Sequence, residues 1–143
     1  MAEFSDRSDC GLAWRAVLRA TVDILPCDIC RTHLRAAIGA LPLVQPRPAA
    51  DMRALLRHFL WSLHGASATV GISEESLSEL YGGDRGLVLK SARDEAHNVD
   101  AAFRRIHVLD RIREGALRPW THAIDHLARM LSNPELLPGR RRR

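Results

Sequence analysis

An all-α fold is what this chain predicts, and three observations predict it. Apolar residues recur at helical spacing in nearly every segment. Prolines and glycines punctuate those segments. No stretch alternates apolar and polar residues over six positions between turn signals. With 143 residues the chain is long enough to bury a core without staples, so a small bundle of four to six helices is expected. One domain should span residues 1–139, with residues 140–143 as a basic tail.

The first helix is GLAWRAVLRATVDIL, residues 11–25, with Leu12, Val17, Leu18, Val22 and Leu25 near helical spacing and Pro26 as its stop. A second begins around Cys27, which puts the CxxC of LPCDIC at a helix N-terminus, and runs through Leu34 and Ile38 to about Leu41. PLVQPRPAA holds three prolines and reads as an extended loop. Asp51 is the expected N-cap of a third helix, MRALLRHFLWSLHGA, whose apolar side carries Leu55, Leu56, Phe59, Leu60 and Leu63. Ser73 opens a short helix through a capping arrangement in which Ser76 stands where Glu or Gln is usual, and Tyr81-Gly82-Gly83 closes it. A long helical region follows from about Arg85 to Glu114, with Leu87, Leu89, Phe103, Ile106, Leu109 and Ile112 as its apolar set. The last helix runs from about Pro119 to Leu131, with its proline at the first position.

Composition narrows the function classes. No run of about eighteen apolar residues is present, so no membrane span is expected. MAEFSDRSDC lacks an apolar h-region, so no secretory signal is expected either, and an intracellular or virion-associated location follows as the reading. The net charge of +4 resides in Arg140–Arg143; the other basic residues balance the seventeen acidic ones. That tail reads as a solvated end, or as a weak attachment point for nucleic acid or another polyanion. Three cysteines are too few for a disulfide scaffold.

The chemistry-bearing stretch is LPCDICRTHL. A thioredoxin-like motif places its CxxC after a strand, and no strand is expected here. A zinc site needs four ligands: Cys27, Cys30 and His33 would give three and Cys10 a fourth, without the usual second knuckle. A redox disulfide on a helical scaffold is consistent with the physics, because the unpaired N–H groups and the dipole of a helix start favour thiolate over thiol. Two buried structural thiols are the plain alternative. A dithiol passes electrons to oxygen efficiently only through a cofactor. Trp61 and His64, three apart on one helix, would make a wall for a flat aromatic ligand, or part of the core.

LPCDIC with His33, followed by a helix ending LWSLH and then ISEESLSELYG, resembles the Erv/ALR family of FAD-dependent sulfhydryl oxidases, over residues 11–82; residues 84–132 would be additional C-terminal helices. The resemblance implies a helical bundle holding FAD beside the CxxC, disulfide formation in a protein dithiol substrate, transfer of electrons to oxygen, and a homodimer or a place in a larger assembly. It implies Cys27 as the sulfur attacked by substrate, Cys30 as the sulfur facing the flavin, Trp61 and His64 as flavin-lining residues, and His33 and Tyr81 as further cofactor contacts. Cys10 would be a shuttle thiol or simply a free, flexible one. The family carries asparagines directly after its histidine and three residues further on, whereas this chain reads His64-Gly65-Ala66-Ser67-Ala68. A flavin-free structural or binding protein with the same fold, and a Cys/His zinc-binding domain, therefore stand beside the oxidase reading. Trp120, His122 and His126 near the chain end faintly resemble the opening helix of that family, as though the order of elements had been permuted.

Overall fold

The computed structural model describes residues 1–2, 5, 9–45, 47–67, 73, 75–76, 79, 83–105 and 115–132. They form five long helices and no strand among the described residues: α1 (Gly11–Ile24), α2 (Asp28–Ala40), α3 (Ala49–Ser67), α4 (Arg85–Arg105) and α5 (Leu117–Ser132). The all-α expectation holds. Residues 106–114, Tyr81 and the tail 140–143 lie outside the described residues. Of the short helix expected after Ser73, residues 75, 76 and 79 are helical, and the Ser76 N–H donates to Ser73 Oγ at 3.1 Å, the bond the capping reading calls for.

Pro26 ends α1 by restricting the residue before it. Leu25 is extended (φ −72°, ψ 126°), and its N–H turns back to the Val22 carbonyl. The same steric rule closes α2, where Leu41, preceding Pro42, is extended and donates to Ile38 at 3.1 Å. The proline-rich connection then brings Leu43 into the core, 3% exposed, with its carbonyl against the backbone of Gly11. A Cβ on Gly11 would lie 2.0 Å from that oxygen, so the close approach of loop and helix admits only glycine. α3 begins two residues before the expected Asp51 cap, and the first intrahelical bond runs from Met52 N–H to the Pro48 carbonyl at 3.0 Å. Asp51 sits in the first turn, where its charge suits the helix end.

Asp84 caps α4, accepting from the Leu87 N–H at 2.9 Å. α5 starts two residues earlier than expected. Pro119 is therefore its third residue, still within the first turn, where no N–H is needed. Across the molecule, α1 packs between α2 and α5, and α4 packs on the far side of α5. One core joins them: Cys10, Trp14, Val17, Leu18 and Val22 of the α1 region, Met52, Leu56 and Phe59 of α3, Leu89 of α4, and Ile124, Leu127 and Leu131 of α5. The expected apolar face of α3 splits. Leu56 and Phe59 are buried, Leu55, Leu60 and Leu63 are half-buried against the core, and Met52 is an anchor the apolar pattern had not included. In α4, Leu89 is 1% exposed but Leu87 is 69% exposed, so the pair does not share a face; the Phe103 side chain lies outside the described residues.

Hydrogen bonds specify this packing. The indole of Trp14 donates to Ser5 Oγ at 2.7 Å within the core and ties Ser5 to α1. Trp120 donates to Thr21 Oγ1 at 3.1 Å and pins the start of α5 to the end of α1. Arg93 and His97 of α4 both reach Asp125 of α5, at 2.9 and 3.3 Å. Arg85 donates to the Leu131 carbonyl at 3.3 Å, satisfying an orphan acceptor at the C-terminal end of α5.

Candidate functional site

The turn between α1 and α2 is built to present two thiols. Proline stops α1, and Cys27 follows in an extended conformation (φ −102°, ψ 119°) as the N-cap of α2, one residue before the first helical position. Its sulfur takes the part that a Ser or Asp oxygen normally plays, accepting the Cys30 N–H at 3.3 Å. Its carbonyl accepts the Arg31 N–H at 2.9 Å. Arg31 clasps the turn: one guanidinium nitrogen donates to the orphaned Leu25 carbonyl at 2.7 Å, and the other pairs with Asp28. The last carbonyl of one helix and the first carboxylate of the next are thus joined by a single side chain.

Cys27 and Cys30 are close together, and both are free thiols and exposed. Their electrostatics differ. The hydrogen bond from the Cys30 side chain, then the Cys30 and Ile29 N–H groups, hold the Cys27 thiol below the usual range, against desolvation and the charge of Asp28. The Cys30 thiol is pushed up by its hydrogen bond to Cys27, by desolvation and by the charge on Cys27. Cys27 is the more acidic thiol of the pair and Cys30 the less acidic one. Ile29, between them, is 68% exposed and gives the site an apolar lip.

The other expected residues are placed as follows. His33 is exposed on α2, three residues beyond Cys30. Trp61 is half-buried on α3, its ring tilted 37° against His58 with centroids 5.6 Å apart. His64 belongs to the same helix, but its side chain, like Tyr81, lies outside the described residues. His58 was legible in principle, since it stands three residues before Trp61, the same spacing as His64 after it. Cys10 is not a flexible thiol: it is fully buried at the N-cap of α1, where its carbonyl accepts the Trp14 N–H at 2.9 Å. Among the described residues no three His, Cys, Asp or Glu side chains gather as a metal site, and no helix is long and apolar enough to cross a membrane. His122 and His126 are exposed on α5, while Trp120 packs towards α1.

Compared with protein-family models, with curated proteins and with solved structures, the chain matches none.

Proposed function

We propose that this chain is a thiol oxidase that forms disulfides in protein dithiols through Cys27 and Cys30. The observation that carries the reading is the exposed, asymmetric pair at the start of α2, in which the Cys27 sulfur accepts the Cys30 N–H and its thiol is the more acidic of the two. In the oxidised pair, a substrate thiolate attacks Cys27 Sγ, the Cys27–Cys30 bond breaks, and Cys30 leaves as thiolate. The second substrate thiolate then attacks its own sulfur in the mixed disulfide and expels Cys27. That step is favoured because the Cys30 N–H and the helix end hold the leaving thiolate. The substrate is left oxidised by two electrons, and the pair carries them as a dithiol. Ile29 offers an apolar contact for the substrate chain beside the reacting sulfurs.

FAD, implied by the sulfhydryl-oxidase resemblance, would supply the two-electron acceptor that regenerates the disulfide and delivers electrons to oxygen as peroxide. The half-buried ring of Trp61 suits a flat ring system, and Trp61 and His64 would hold it, with His33 and Tyr81 as further contacts. Residues 11–82 would carry this reading, with α4 and α5 as additional helices. A homodimer or a place in a larger assembly belongs to the same proposal.

The test is purification under air with FAD present, followed by oxygen uptake with a small dithiol. Flavin absorbance should co-purify, and uptake should vanish in both Cys27→Ser and Cys30→Ser. A colourless protein in which added FAD restores neither absorbance nor turnover overturns the oxidase reading and leaves a flavin-free helical binding protein.

A further inference from the structure

α1 and α2 diverge from the thiol turn, and between them, closed off by the 41–45 segment, lies a groove of about 680 Å³. Its volume falls within the range of small-molecule sites. Its walls follow from helical spacing: Arg15, Arg19 and Asp23 stand four residues apart along α1, and Arg35, Ile38 and Gly39 form one stripe of α2. Three guanidinium groups and one carboxylate therefore line a single groove, Arg15, Arg19 and Asp23 from α1 and Arg35 from α2. Among the described residues none of the three guanidiniums has a carboxylate partner, whereas Arg31 and Arg93 are each paired. The groove begins roughly one and a half helical turns beyond Cys30 and is distinct from the thiol pair.

Gly39 is the second observation. A glycine inside a helix costs about 1 kcal/mol relative to alanine, and such a position usually has a packing reason. Here there is none: a Cβ at Gly39 would meet nothing within 4 Å. What the missing side chain does is leave the α2 wall of the groove open at this position.

We propose that this groove binds the phosphate or pyrophosphate group of a small molecule, with Arg15, Arg19 and Arg35 as the anion ligands and Gly39 keeping the α2 wall clear. Guanidinium forks match phosphate oxygens, and an arginine cluster without enough carboxylate to neutralise it is arranged for an anion that arrives from solution. Val22, Ile38 and Val44 would cover the uncharged part of the ligand.

The experiment is calorimetric titration of the full chain at physiological ionic strength with two probes, inorganic pyrophosphate and ADP. The proposal expects saturable one-to-one binding that survives replacement of Arg140–Arg143 by serine. Arg15→Gln with Arg35→Gln should weaken it by about tenfold or more. Gly39→Leu, which keeps a helix-compatible residue but adds a side chain to the groove lining, should weaken it while the circular dichroism stays helical. Arg118→Gln with Arg129→Gln, exposed arginines of α5 outside the groove, should bind as wild type. The proposal is overturned if neither probe saturates, if binding is lost with the tail arginines, or if the α5 variant weakens it as much as the groove variant.

Discussion

At the residue scale, one sulfur performs two tasks. Cys27 caps a helix and is the more acidic thiol of the pair, because the Cys30 side chain and, after it, the Cys30 N–H that satisfies the cap both favour its thiolate form. The pH dependence follows with a definite sign. Cys27 should react with iodoacetamide down to a pH below the ordinary thiol range. Because the Cys30 side chain is the largest cause of that lowering, Cys30→Ala should move the midpoint upward; a midpoint that stays put would separate the low pKa from the partner thiol. Cys10 should resist the same reagent until the protein unfolds, since it is buried in the core. The CxxC, its helix start and the stop at Pro26 were legible because proline geometry and N-cap chemistry are local. The burial of Cys10 was not, because it depends on Trp14 and Ser5 folding the N-terminal segment inward, a tertiary event that helical spacing does not encode.

At the scale of elements, each helix is legible in its middle and less so at its ends. Apolar periodicity places α1 to α5, but Asp51 and Pro119 show that a good capping or first-turn residue tolerates a shift of two positions: an acid or a proline is acceptable anywhere in the first turn. Contacts between elements give sharper tests. Gly11→Ala would drive a methyl group into the Leu43 carbonyl and should cost about 3 kcal/mol in chemical denaturation, although alanine is the better helix former. A neutral or stabilising result would mean that the 41–45 segment can leave α1. Between α4 and α5, the Arg93 guanidinium, with a smaller contribution from His97, holds the Asp125 carboxyl below its ordinary range. A carboxylate with a depressed folded-state pKa stabilises the fold above its unfolded pKa, and that contribution disappears as pH falls through the folded value. Asp125→Asn should therefore lower the thermal midpoint by about 2 °C near neutral pH, and the difference from wild type should close in acid. A deficit that persists at low pH would assign the loss to packing.

At the scale of the whole molecule, the core is continuous but two of its helices begin with leucines that point away from it. Leu12 at the start of α1 is 67% exposed and Leu87 at the start of α4 is 69% exposed. Neither helps to close the core, so replacing either should leave monomer stability nearly unchanged; this separates an effect on association from an effect on folding. The oxidase reading expects the chain to pair with itself or to sit in a larger assembly. Light scattering across a range of concentrations should show a mass rising toward twice that of the chain. Leu12→Arg or Leu87→Arg should return it to the single-chain value, with the unfolding free energy of the single chain unchanged within about 0.5 kcal/mol. If wild type remains a single chain at high concentration, the self-association that accompanies the oxidase reading is wrong. If it pairs but neither arginine variant disrupts it, the contact lies on another face. Ile29, 68% exposed beside the reacting sulfurs, provides the contrast. Ile29→Ser should leave the mass unaltered and slow exchange with a protein dithiol more than with a small one, because only the larger substrate has a chain to rest on that side group.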